Sequence, residues 1–123
     1  MTQENKTTKA IALLLEHTQE GRLKWEAVSP SSDLTEGSNI VVKVMYVAQK
    51  DGRALRLYPY RFRSYTDEDA WHWDDNLALE VSDPKYISWW QFPRNRVIWD
   101  LLEAVKFKTT GVDDFIDNLL GRH

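Results

Sequence analysis

Residues 44–58 have the sequence VMYVAQKDGRALRLY and predict a β-hairpin. Asp51-Gly52 is the strongest short turn signal in the chain. Both central residues of a type I′ turn need a positive φ, which aspartate and glycine adopt more readily than most residues. A two-residue turn here pairs Tyr46 with Leu57 across two strands, the first of which is predicted over residues 40–48. The rest of the predicted sheet is built outward from this hairpin.

A second hairpin is predicted around the acidic stretch 66–70. Its register places Arg56 opposite Glu80 and Arg61 opposite Asp75. The two registers agree on one apolar face, which is typical of an antiparallel sheet that covers a core on one side. Its members are Val44, Tyr46, Leu55, Leu57, Leu77, Leu79 and Val81.

The two ends of the chain have helical rather than strand periodicity. Apolar residues recur every three or four positions between residues 10 and 18, before Gly21, and again over 97–105 and 112–120, with Thr110 as the predicted N-cap of the last helix. Short strands are predicted at 24–28 and 86–92, with a loop over 29–38.

The predicted fold class is therefore α+β. An N-terminal helix precedes a four- to five-stranded antiparallel meander, and two C-terminal helices pack on one face of the sheet. With 123 residues and no linker, repeat or low-complexity tract, residues 1–123 are expected to form a single domain.

Composition removes several classes of function. The chain has no cysteine, which excludes disulfides, thiol nucleophiles and thiolate metal sites. The aliphatic run 11–15 is too short to span a bilayer, and the polar start lacks the features of a secretion signal. A soluble cytoplasmic protein with no membrane contact is expected.

Charge is divided between two neighbouring segments. Residues 39–66 contain six basic side chains and one acidic one, whereas residues 67–83 contain seven acidic side chains and no Lys or Arg. One interpretation is a nucleic-acid strip in which Arg56, Arg61 and Arg63 neutralise phosphates beside stacking aromatics. The other interpretation, which we favour, is that the opposite charges pair across the hairpin and help to fix its register.

Acidic residues around His72 raise the question of a metal site. The stretch lacks the ligand spacing and central glycine of an EF-hand loop and has no second histidine nearby, so a solvated loop is favoured. The five candidate ligands are Asp67, Asp69, His72, Asp74 and Asp75. We predict no metal, no cofactor and no catalytic residues, and a metal-dependent hydrolase is the least favoured function.

The second face of the predicted sheet is rich in large side chains. Met45, Tyr58, Tyr60 and Phe62 lie there, and these residue types are enriched in protein interfaces. The alternative is that the segment around Trp25, the 29–38 loop or a second copy covers this face as ordinary core. A bulge at Pro59 would instead send Tyr60 and Phe62 to the helix side.

The two termini resemble a group of small uncharacterised bacterial proteins. The resemblance rests on GRLKWE at residues 21–26, IWDLLEAV at 98–105 and VDDFIDNLL at 112–120. It implies the α+β architecture and a bacterial or mobile-element origin, and it implies no activity.

The sequence predicts a small non-enzymatic binding or regulatory protein. Its expected partner is another protein, contacted through Met45, Tyr58, Tyr60 and Phe62, and a homodimer is an alternative. The second candidate function is single-stranded nucleic-acid binding along residues 56–63.

Overall fold

The structure, a computed structural model, describes residues 3–36 and 39–121. The helices are α1 (Gln3–Gln19), α2 (Ser32–Thr35), α3 (Arg96–Thr109) and α4 (Val112–Leu119). The strands are β1 (Glu26–Val28), β2 (Ile40–Val41), β3 (Met45–Lys50), β4 (Arg53–Tyr65), β5 (Trp71–Ser82) and β6 (Trp89–Gln91). The predicted α+β class is confirmed, and a short helix interrupts the predicted 29–38 loop, whose residues 37 and 38 lie outside the described residues.

The β3–β4 hairpin has the predicted turn and register. Asp51 and Gly52 have φ values of 52° and 75°, the left-handed backbone that a type I′ turn requires. Tyr46 pairs with Leu57, as expected from the two-residue turn. In the described part of the sheet the strand order is β1-β3-β4-β5-β6, and β2 pairs with β4 beside β3.

The β4–β5 pairing also follows the predicted register, from Leu55 opposite Val81 to Tyr65 opposite Trp71. Pro59 pairs with Leu77 without any shift. The alternative of a bulge at Pro59 is therefore wrong, and Tyr60 and Phe62 stay on the face away from α1 and α3.

A bulge lies instead on the neighbouring strand. Val41 pairs with Arg61 and Tyr46 with Leu57, so five steps along one strand match four along the other. The extra residue falls between β2 and β3 and divides what the sequence predicts as one strand over 40–48. It also changes the face toward which Ile40 points.

The main core lies between the sheet and two helices. Ile11 of α1 and Leu101 of α3 are fully buried against Leu57 and Leu79 of the sheet. Every residue of the predicted apolar face belongs to this cluster or packs against it. The period-two pattern therefore assigned the helix-covered face correctly.

Burial on the helix side of the long hairpin ends at Leu77. The residues farther along this face, beginning with the Arg61–Asp75 pair, are exposed. The outer end of β4 and β5 therefore extends beyond the cover of the helices.

A buried hydrogen bond connects the end of α1 to the residue before β1. Trp25 Nε1 donates a buried hydrogen bond of 3.0 Å to Thr18 Oγ1, and Thr18 Oγ1 donates to the Leu14 carbonyl at 2.8 Å. Both polar groups are thereby satisfied inside the core.

The last helix is attached differently from α3. It contacts α3, and none of its residues is buried. Its N-cap is Gly111 rather than the predicted Thr110, which is instead the C-cap of α3. Among the described helices, none has the length and apolar character needed to cross a membrane.

Candidate functional site

Two of the four predicted partner residues lie inside a second core cluster. Met45 and Tyr58 pack with Leu34 of α2 and with Val42 from the bulge, on the face away from α1 and α3. Burial raises the pKa of the Tyr58 hydroxyl, and the nearby charge of Glu80 raises it further. The predicted use of Met45 and Tyr58 as surface contacts is corrected here, because Leu34, Ile40 and Val42 pack over them as core.

The other two predicted partner residues are only half-buried. Tyr60 and Phe62 continue along the same face, with ring centres 6.1 Å apart. Phe62 is paired with Ile40 of β2, so cover from the bulged segment reaches this far along the strand. The accessible part of the predicted aromatic face is therefore its outer end.

Arg56 is buried and cannot serve as a phosphate contact. Its Nε donates to Glu80 Oε1, its Nη1 donates to Asp33 Oδ2 at 3.0 Å, and its guanidinium lies 4.0 Å from the centre of the Trp89 ring. The Ser31 hydroxyl lowers the pKa of Asp33, and Arg56 lowers it further against the opposing effect of partial burial. The predicted role of Arg56 as a phosphate contact in the nucleic-acid strip is corrected here, because contacts within the protein occupy its guanidinium.

The two other arginines of the strip have different surroundings. Arg61 Nε donates to Asp75 Oδ1 at 3.1 Å in an exposed pair, as the favoured charge interpretation predicts. Arg63 has no carboxylate within ion-pair distance in the described part of the chain. Its guanidinium lies 4.7 Å from the centre of the Trp71 ring and 5.7 Å from that of Trp73.

Arg63, Tyr65, Trp71 and Trp73 together form what we call the tip cluster. The β4–β5 register places Arg63 opposite Trp73 and Tyr65 opposite Trp71, so all four share one face of the hairpin. The two indole rings meet edge to face at 5.4 Å, and Trp71 and Trp73 are 44% and 40% exposed. The cluster is an aromatic surface with one cation against its rings.

A cleft of about 490 Å³ opens beside the tip cluster. Its lining includes Val41 of β2 together with Phe62, Arg63 and Trp73 of the long hairpin. This volume lies within the range of about 300–1,000 Å³ that is typical of ligand pockets. The cleft can receive a large side chain or a small planar group.

The acidic stretch near the hairpin turn has a structural role. Asp67 Oδ1 accepts hydrogen bonds from the backbone amides of Asp69 and Ala70, which closes the turn. His72 Nε2 lies 3.3 Å from Asp74 Oδ2. Among the described residues, no group of three or more metal-ligating side chains comes together, so the five candidate ligands do not form a site.

Sequence reasoning missed Tyr65, Trp71 and Trp73 as a joint surface. The predicted register already places Trp73 opposite Arg63, and this was the signal that could have found the cluster. The sequence contains no comparable signal for where the helix layer ends, and that determines whether these rings are core or surface.

Comparisons with protein-family models, with curated proteins and with solved structures give no match for this chain.

Proposed function

We propose that the protein is a non-enzymatic binding protein that recognises a partner protein through the tip cluster and its cleft. The observation that carries the proposal is the exposure of Trp71 and Trp73 where the helix layer ends, beside a cleft large enough for an anchor residue. Trp, Tyr and Arg are the residue types that dominate binding energy in protein interfaces.

The rigidity of the cluster supports this role. Its side chains are carried by paired strands, so their spacing is set by the β4–β5 register before any partner arrives. The two rings and the Arg63 guanidinium already contact one another. Such preorganisation reduces the conformational entropy lost on binding.

The test compares two kinds of exposed tryptophan. Tagged wild-type protein, Trp71→Ala/Trp73→Ala and Trp99→Ala are used to capture partners from cells, and the captured protein is then purified and its Kd measured. Trp99 is the matched control, because it is 44% exposed on α3. We expect the double variant to bind at least about thirtyfold more weakly, as removal of hot-spot residues does, and Trp99→Ala to bind normally. Equal binding by all three proteins contradicts the proposal.

Single-stranded nucleic-acid binding is the second candidate, and it rests on Arg63 among stacking rings. The burial of Arg56, the pairing of Arg61 and the acidic turn 67–69 all work against phosphate binding at this end of the hairpin. This function predicts retention on oligonucleotides that falls with salt and with Arg63→Gln. An absence of retention at low salt eliminates it.

A further inference from the structure

Strand β6 covers only part of the outer edge of β5. The two strands pair at residues 80–82 of β5, and the Phe92 amide donates a further hydrogen bond of 2.8 Å to the Leu79 carbonyl. Pro93 follows, and the chain then enters α3, so β6 does not continue along β5. In the described part of the chain, residues 71–77 therefore have no neighbouring strand on this side.

Every second residue of β5 directs its backbone N–H and C=O toward this outer edge. Leu79 does so, because its carbonyl accepts from Phe92 and not from β4. Leu77 is in the same phase, and Pro59 opposite it on β4 has no N–H to exchange. The pairing of β4 with β5 continues without a shift to the end of the hairpin. The residues in this phase at the outer end are Trp71, Trp73 and Asp75.

The backbone of this outer end is open to pairing. The Leu77 N–H is satisfied locally, because it donates to Asn76 Oδ1 at 2.8 Å. Beyond that point, no group of the described residues hydrogen-bonds the edge-facing backbone of Trp71, Trp73 or Asp75. All three residues are exposed. Such a row of unpaired N–H and C=O groups is a template for an added strand.

The side chains along the edge indicate which strand fits. A residue of an added strand has its Cβ about 5 Å from that of its direct neighbour, so facing side chains touch. One face offers Trp71 and Trp73 to an apolar side chain. The other face offers Asp74, whose side chain lies 3.3 Å from His72 and is still 44% exposed. Residues 67–76 hold five carboxylates and no Lys or Arg, so the complementary strand alternates apolar with basic residues.

A second copy of this chain does not supply such a strand. Its own β5 edge carries the same five carboxylates, and pairing two such edges brings like charges together. The outermost strands of its sheet, β1 and β6, are three residues long and contain no Lys or Arg. The edge of β5 is therefore matched by a segment of a different protein.

We propose that the free edge of β5 binds an extended segment of the partner protein that carries Lys or Arg, and that this segment adds to the sheet as a further strand. The backbone groups of Trp71, Trp73 and Asp75 supply the hydrogen bonds, and Asp74 receives a basic side chain. The inference rests on the proposed function, because the added strand packs its apolar side chains against the indole rings of the tip cluster.

The test uses synthetic peptides of about eight residues, a usual strand length, in which valine alternates with either lysine or glutamate. Fluorescence anisotropy measures their binding to the full chain at low salt. We expect the lysine peptide to bind at least about tenfold more tightly than the glutamate peptide. The lysine peptide methylated at every backbone nitrogen should not bind, because it has no N–H to donate. Failure of the lysine peptide to bind, or equal binding of its methylated form, overturns the proposal.

Two variants at one position separate the backbone of the edge from its side chain. Asp75→Pro removes an edge-facing N–H that does not bond to β4, so the β4–β5 pairing is kept, and it should weaken the lysine peptide about tenfold or more. Asp75→Ala, the matched control, removes the same carboxylate but keeps the N–H, and should weaken the peptide at most about threefold. Full binding by Asp75→Pro overturns the proposal. The methylated peptide tests the same hydrogen bonds on the wild type, whatever the stability of Asp75→Pro.

The charge contact is tested separately at Asp74. Asp74→Asn should weaken the lysine peptide about threefold at low salt and leave thermal unfolding unchanged. Unaltered binding by this variant contradicts the assignment of Asp74 to the basic side chain.

Partner capture distinguishes this inference from the proposed function. If Trp71→Ala/Trp73→Ala loses the partner and a folded Asp75→Pro keeps it, the tip cluster binds without an added strand and only the present inference fails. Normal capture by the tryptophan variant contradicts the proposed function itself. A wild-type dimer in light scattering that becomes a monomer in Asp75→Pro would show that a second copy occupies the edge, against the proposal.

Discussion

Arg56 and Glu80 form a buried ion pair across strands β4 and β5, at directly opposed positions of the register. The guanidinium also contacts Trp89 and the partly exposed carboxylate of Asp33. This arrangement joins the central hairpin, the edge strand β6 and the turn of α2 at one charged group. The contribution of this buried pair to the free energy of unfolding can be compared with that of an exposed pair.

Removing the buried carboxylate should be strongly destabilising. Glu80→Ala leaves the Arg56 charge buried without its nearest partner, and we expect a loss of about 3 kcal/mol in the free energy of unfolding. Asp75→Ala, which breaks the exposed pair with Arg61 on the same two strands, should cost at most about 1 kcal/mol. Urea unfolding measures both, and similar losses would contradict a special role for the buried pair.

The effects of substitutions at Thr18 and Trp25 on stability should be coupled through the hydrogen bond between these residues. Thr18→Val leaves the buried indole N–H unsatisfied, and we expect a loss of about 1–3 kcal/mol. In a Trp25→Phe background, where that N–H is absent, the same change should cost clearly less. A double-mutant cycle by urea unfolding measures the coupling, and strictly additive losses would show that the hydrogen bond contributes nothing.

The turn at Asp51-Gly52 should be sensitive to the choice of side chain. Gly52 has a φ of +75°, so Gly52→Ala forces a left-handed alanine and should cost about 1–2 kcal/mol. Asp51→Asn is the control, because asparagine tolerates positive φ. Chemical denaturation checks both variants, and an unchanged Gly52→Ala midpoint would be incompatible with the type I′ turn.

Alkaline pH should destabilise the protein partly through Tyr58. Burial raises the pKa of this phenol in the folded state above its ordinary value of 10.0. Its stabilising contribution is complete below about pH 10 and is lost as the pH rises further, because only the unfolded chain then ionises easily. Tyr58→Phe removes this dependence.

Unfolding curves between about pH 8 and pH 11.5 measure the effect. The wild type should lose more stability than Tyr58→Phe over this interval. Tyr65→Phe, at an exposed ring of the hairpin end, should follow the wild type. Parallel curves for the wild type and Tyr58→Phe would show that the buried phenol does not control alkaline unfolding.

The registers and faces of the central sheet are predicted correctly from the sequence. The Asp51-Gly52 turn fixes one register, and the opposite charges at Arg56 and Glu80 agree with the next. Alternation of apolar residues then assigned the two faces. Each of these features depends on residues of the same hairpin, which are close together in the chain. A single sequence is therefore enough to predict them.

The bulge between β2 and β3 was not predictable in the same way. Residues 40–48 are compatible with one continuous strand, and the shift brings Ile40 and Val42 into the cluster that covers Tyr58. That packing also involves Leu34, eight residues before Val42 on a separate helix. Because this tertiary contact determines the burial of Met45 and Tyr58, the predicted partner face was assigned to the correct side but with the wrong exposure.

The last helix illustrates a second limit of sequence patterns. Apolar spacing over 112–120 predicted the helix correctly and implied that its stripe lies against the sheet. Periodicity defines a stripe but not its orientation, and here Asp113 lies toward Lys108 of α3 while the stripe faces outward. The sequence therefore predicts that both C-terminal helices pack on the sheet, whereas α4 contacts α3 and exposes its apolar stripe.

The helix layer stops at Leu77, whereas the two long strands continue toward Tyr65 and Trp71. Side chains at this outer end can be exchanged without disturbing the packing around Leu57 and Leu79. Natural variation at these positions can therefore alter the proposed partner surface while leaving the folding core unchanged. In a scaffold built in this way, the surface proposed for binding can diverge faster than the architecture.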